Sequence, residues 1–186
     1  MPRLKQRRMA AGWLAAAGLL TSGCAVLDSS TADAGGQGAS YEQAYADHEP
    51  LHVVGYPSTG SLLVVQQLVW DIADGRTDDL RKLATGDSSG TEARKTAENW
   101  AKGFGAGARG RVTGDFYDAG SERQVVVLYF HDSRQVKEFT VRLDGDAGDD
   151  GWRVLMKSSD SKDATRAPAW APKEPGGAGS TMKNVR

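Results

Sequence analysis

The sequence predicts an α+β domain in which helices come first and an antiparallel meander of about four strands follows. Three observations predict it. Apolar residues recur at three- and four-residue spacing from Ser61 to about Ala84, and again from Ala93 to Phe104. Between Arg111 and Ser158 the apolar spacing falls to two, with polar Gly, Asp and Ser turns between the runs. Outside this span the chain is dominated by Ala, Gly, Ser, Pro and charged residues, apart from an apolar leader at its start.

In the first helix Leu62, Val65, Leu68, Val69 and Ile72 share one face, and Leu63, Val64 and Trp70 widen it, so the helix should be well buried. Gly75 interrupts it. Thr77 is placed to cap a short second helix with Leu80, Leu83 and Ala84 on one side. Ser89 and Glu92 have the spacing of a capping box. The helix they open puts Ala93, Ala97, Trp100, Ala101 and Phe104 on one stripe, and Gly103, Gly105, Gly107 and Gly110 are expected to end it.

The first strand is read as Arg111–Asp118, followed by a turn through Ser121. Gln124–Phe130 is apolar on both faces, the pattern of a central strand. Val125, Val127 and Tyr129 point one way, and Val126, Leu128 and Phe130 the other. One set should cover the helices. The other must meet a second subunit, the arm before Ser61, or a ligand. In Val136–Asp144, Phe139, Val141 and Leu143 alternate with Glu138, Thr140 and Arg142, as in a half-exposed strand. Trp152, Val154 and Met156 alternate in the last one. The domain is therefore drawn at residues 58–158, enough for a modest core, with residues 24–57 a flexible tether and arm and residues 159–186 a disordered tail.

The leader carries the most specific signal. Arg3, Lys5, Arg7 and Arg8 precede twelve uncharged residues, Met9 to Leu20, and small residues then lead to Cys24, the only cysteine. That is the layout of a secretory signal peptide over residues 1–23, and the apolar run is too short for a membrane-spanning helix. Leu20-Thr21-Ser22-Gly23-Cys24 resembles the lipobox of bacterial lipoproteins, with Thr21 where that motif usually has Leu. The resemblance implies that Cys24 becomes the mature N-terminus and carries a diacylglyceryl anchor, holding the protein on the extracytoplasmic face of the cell membrane. Two acyl chains suffice for stable attachment. Loss of the leader leaves 19 basic against 24 acidic residues, a balance of −5, unlike a nucleic-acid binder. With one cysteine the chain has no internal disulfide. The 33 residues of arm and tether span about 30 Å as a random chain.

A second resemblance lies in the domain. Leu68-Val69-Trp70-Asp71-Ile72-Ala73-Asp74-Gly75-Arg76-Thr77-Asp78-Asp79-Leu80 resembles the opening of nuclear-transport-factor-2-like (SnoaL-like) domains, where a long helix meets an Asp-Gly turn and a short second helix. Asp150-Gly151-Trp152-Arg153-Val154-Leu155 resembles their terminal strand. The resemblance implies a curved sheet wrapped around the helices as a cone with a pocket, and often a homodimer through the sheet face. Cystatin-like packing of one helix on a sheet is the alternative.

Several motifs suggest chemistry and fail on context. His48-Glu49-Pro50-Leu51-His52 matches His-Glu-x-x-His, but zinc chemistry needs both histidines on one helical face, and Pro50 opposes a helix there. Gly105-Ala106-Gly107-Ala108-Arg109-Gly110 matches Gly-x-Gly-x-x-Gly, but a dinucleotide site needs a strand before it and a helix after it, and here the order is reversed. Asp144, Asp146, Asp149 and Asp150 crowd one turn without the glycine and acid positions of a calcium loop. Neither a cofactor nor a metal is called for.

Catalytic members of the resembling superfamily place acids, Tyr or His inside the cone, and the candidates here are Asp115, Tyr117, Tyr129, His131 and Asp132. Trp70, Trp100 and Trp152 are read as core aromatics, with a cavity lining as the alternative. No catalytic residue is assigned. The expectation is a non-catalytic domain that binds a partner protein, a cell-wall component or a small apolar ligand. The alternatives are a small isomerase or dehydratase-type enzyme with an acid/base pocket, or an accessory subunit of an envelope complex.

Overall fold

The computed structural model describes residues 45–88 and 90–177. The leader, Cys24 and the first part of the tether lie outside the described residues, as does Ser89 of the expected capping box.

The elements run β1 (His52–Gly55), α1 (Thr59–Asp74), α2 (Thr77–Lys82), α3 (Gly90–Ala108), β2 (Val112–Asp118), β3 (Arg123–Phe130), β4 (Gln135–Leu143), a 3₁₀ turn (Gly148–Gly151), β5 (Trp152–Val154) and α4 (Ser161–Ala164). The fold is α+β. Its sheet follows chain order, β1-β2-β3-β4-β5, so β3 is central as its two apolar faces require. β2 through β5 are antiparallel neighbours.

The sheet has five strands rather than four, and it is mixed. β1 pairs with β2 in parallel, His52 opposite Thr113 and Gly55 opposite Phe116. Helices α1, α2 and α3 lie between them in sequence, which supplies the long crossover that a parallel pair needs. Four residues inside an arm rich in polar groups carry too weak a pattern to be read as a strand. The arm is held to α1 by the Leu51 N–H, which donates to Gln66 Oε1 at 2.7 Å.

α1 starts at Thr59, with the Ser58 side chain accepting from the Ser61 N–H, and stops where Gly75 takes a left-handed conformation. Thr77 is the first residue of α2, not its cap; Arg76 holds that position. α3 runs through Gly103, Gly105 and Gly107 instead of ending at them. A Cβ on Gly107 would lie 2.4 Å from Ser133 Oγ, and one on Gly105 would lie 3.2 Å from the Ile72 carbonyl oxygen. These glycines let α3 approach the β3–β4 turn and α1 closely.

One face of the sheet packs on the helices. Val126, Leu128, Phe130, Phe139, Val141 and Val154 meet Val65, Leu68, Ile72, Ala97, Trp100 and Phe104. Phe104 and Phe130 stack with ring centroids 5.0 Å apart.

The expected disordered tail is corrected over residues 159–177. The Asp160 side chain caps α4, and Ala164 is buried against α3, its carbonyl accepting from Trp100 Nε1 at 3.2 Å. Beyond α4 the chain turns back and crosses the second face of the sheet. The compact unit therefore extends past residues 58–158 on both sides. The tail is polar on average, and a few anchor residues, not periodicity, hold it.

Candidate functional site

The alternation of β2 and β3 decides which candidates meet. Register pairs Thr113 with Tyr129, Asp115 with Val127 and Tyr117 with Val125, all on the face away from the helices. Tyr117, Val125, Val127 and Tyr129 form a second, smaller apolar cluster there, with Val136, Trp170 and Ala171 packed against it. Asp115 is buried in the same face, at 3% exposure.

A strap from Trp170 to Gly176 closes over this cluster. Its indole Nε1 donates to Glu138 Oε2 on β4 at 2.7 Å. Its indole ring meets Tyr117 edge-on, with centroids 5.2 Å apart. The Pro172 carbonyl accepts from the Tyr129 hydroxyl on β3 at 3.1 Å. The Gly176 N–H donates to Asp115 Oδ2 on β2 at 2.9 Å, and a Cβ on Gly176 would lie 3.3 Å from Val54 of β1. Four strands at about 4.8 Å spacing are about 14 Å across, within the reach of seven extended residues at about 3.3 Å each.

Asp115 also accepts from the Tyr117 hydroxyl at 2.8 Å. Burial, and then the negative charge of Asp115, push the Tyr129 phenol up to about 12, with the Tyr117 hydroxyl offsetting part of the shift. Tyr129 thus stays protonated at neutral pH and acts as a hydrogen-bond donor, not as a base. An acid and two phenols do converge, but Asp115 and Tyr129 are engaged by main-chain groups of the chain's own tail.

The other candidates are elsewhere. His131 Nε2 lies 2.8 Å from Thr113 Oγ1 at the end of β2. Asp132 is exposed in the β3–β4 turn, packed against Gly110. Trp100 and Trp152 belong to the helix–sheet core, and Trp70 is buried under His48 and Tyr45. Over Trp100, on the helix side of β4, sits the Lys137 ammonium, 5.4 Å from the ring centre. Burial lowers its pKa.

Residues 48–51 are not helical and His52 belongs to β1, so the two histidines do not share a helical face. His48 stacks on Trp70 and places Nε2 3.0 Å from Asp74 Oδ1. Gly-x-Gly-x-x-Gly lies at the C-terminal end of α3, not at a helix start. Asp144 accepts from the Gly86 N–H and lies 3.8 Å from Arg142, while Asp149 and Asp150 form part of the 3₁₀ turn. Among the described residues no group of three His, Cys, Asp or Glu converges as a metal site would.

Sequence reasoning missed the strap and a buried acid. Trp170 and three prolines between residues 168 and 175 signal an anchored, conformationally restricted segment within a tail otherwise poor in apolar residues. Asp71 sits on α1 with its side chain fully buried. Its Oδ1 accepts from Gln67 and from Arg76, and Oδ2 finds no hydrogen-bond partner among the described residues. Burial raises the Asp71 pKa although Arg76 opposes the shift.

No protein-family model, no curated protein and no solved structure matches the chain.

Proposed function

We propose that this protein is a lipoprotein anchored through Cys24 to the extracytoplasmic face of the cell membrane, and that its domain is a non-catalytic interaction module. Leu20-Thr21-Ser22-Gly23-Cys24, after a basic and then apolar leader, supports the anchor. No described helix is long and apolar enough to cross a membrane. The observation that carries the interaction reading is the use made of Asp115 and Tyr129. Their hydrogen bonds hold a peptide segment, which is binding chemistry.

The domain is further read as nuclear-transport-factor-2-like. The long α1, the Gly75 turn, the short α2 and the closing strand β5 occur in the order that the resemblance implies. A homodimer through the outer sheet face would require the strap to leave, since Trp170 and Ala171 pack on that face.

The anchor is tested with Cys24→Ser. Native protein is expected in the membrane fraction with a mass increment of a diacylglyceryl group on Cys24. The variant is expected to lose both. Unchanged membrane attachment of the variant, or an unmodified Cys24 in the native protein, would refute the anchor.

A further inference from the structure

We infer that the outer face of β2–β4 is a docking surface for a proline-bearing, turn-forming peptide segment of another protein, and that residues 170–176 occupy it in cis as a built-in competitor. The inference rests on the reading of the domain as an interaction module and names the partner chemistry of that module.

The strap meets the sheet largely through main-chain atoms. From the strap, Pro172 offers a main-chain carbonyl and Gly176 a main-chain N–H. Its side chains add the Trp170 indole, which donates to Glu138 and packs on Tyr117, and Ala171, which packs on the same cluster. The sheet therefore recognises an aromatic residue, then a carbonyl two positions on, then an N–H four positions further. A segment that has this order and closes with the same turn, in which the Gly177 N–H donates to the Glu174 carbonyl at 3.2 Å, presents the same groups. Pro168, Pro172 and Pro175 each fix one backbone dihedral and so reduce the entropy lost on docking. Side chains provide the sheet's half of the recognition, so the mode differs from strand addition at an edge.

Two further observations make the cis segment replaceable. It contains no helix or strand, so it can lift off without breaking a ladder. It joins the domain through residues 165–169, which follow α4 and carry no buried side chain. Leaving would uncover Tyr117, Val125, Val127 and Tyr129, an apolar patch around the Asp115 carboxylate. Such a patch favours re-covering. A partner segment meets the same demand as the strap.

The test uses the full-length chain carrying Trp170→Ala and Gly176→Pro, which removes the indole and the N–H donor while keeping the chain length. The probe is a labelled synthetic peptide of residues 167–177. The variant is expected to bind it at least tenfold more tightly than the wild-type chain, where the cis strap competes. A peptide with Ala in place of the tryptophan should lose at least tenfold, and so should Asp115→Asn introduced into the variant. Equal binding by wild type and variant, or no binding by a variant that keeps its circular dichroism, overturns the proposal. Dimerisation of the variant without peptide overturns it too, in favour of a second copy. Should the variant not fold, hydrogen exchange of the wild-type chain decides. The Gly176 amide is expected to exchange at least a hundredfold faster than that of Val127, and equal protection would make the strap a permanent part of the core. Neither readout involves membrane attachment, so a failed anchor at Cys24 leaves the result interpretable.

Discussion

The Tyr129 hydroxyl donates to the Pro172 carbonyl at 3.1 Å, across 43 residues of chain. This bond ties the central strand to a segment whose composition resembles a loose tail. Together with the Trp170 and Gly176 contacts it gives β3 the second cover that its two apolar faces require.

The strap and the strand beneath it should be energetically coupled. Trp170→Ala is expected to lower stability by about 1–3 kcal/mol, less than a fully buried tryptophan. Val127→Ala should cost about 2 kcal/mol for the methyl groups it removes. In the double variant the two losses should fall short of their sum by about 0.5–1 kcal/mol, because uncovering Val127 already forfeits part of its burial. Urea unfolding of the four chains measures this. Strict additivity would mean that the strap does not shield Val127.

Tyr129 predicts an alkaline transition. Its native value of about 12 lies above the ordinary 10.0, so the native state holds the proton longer than the unfolded chain does. The associated stability is complete below about 10 and is lost as pH rises towards about 12. Tyr129→Phe should flatten that part of the stability curve, and ultraviolet titration should show one phenol fewer ionising late. An unchanged late phenol in Tyr129→Phe would contradict the assignment.

Asp71 predicts the acid side. Burial raises its native value above the ordinary 3.8, so the protonated form is the better accommodated one. Its stabilising contribution is complete below the unfolded value and is lost as pH rises through the higher native value. The melting temperature of the wild type minus that of Asp71→Asn should therefore fall as pH rises across the acidic range. A difference that grows with pH would show that Arg76 outweighs burial.

Gly107→Ala should destabilise by about 1–3 kcal/mol, the cost of overpacking a closed contact. The added Cβ would lie 2.4 Å from Ser133 Oγ and 2.9 Å from Phe130 Cβ. Gly75→Ala should instead be costly through conformation, since its φ of 70° disfavours a side chain while the space around it is open. Thermal melts separate the two: Ser133→Gly should rescue part of the loss in Gly107→Ala and none in Gly75→Ala.

What the residues themselves made legible were the repeating patterns. The α+β order, the buried face of α1, the stripe on α3 carrying Trp100, the four antiparallel strands of the meander and the central place of β3 all follow from periods of 3.6 and 2. The candidates Asp115, Tyr117 and Tyr129 were visible as residue types, but a one-residue change of register would have sent each to the opposite face. Their convergence needed the observed pairing of Asp115 with Val127.

By itself the sequence determined the local elements, because periodicity and turn residues are properties of neighbours along the chain. The proposal of a lipid anchor on Cys24 also rests on neighbours along the chain, those of the leader. Only the tertiary structure decided that β1 joins the sheet in parallel, that the glycines of α3 mark close contacts, and that the tail crosses the outer face. Each of these rests on a few contacts between residues far apart in the chain. Such contacts form where packing geometry brings the groups together, and they leave no repeating signal in the segments that make them.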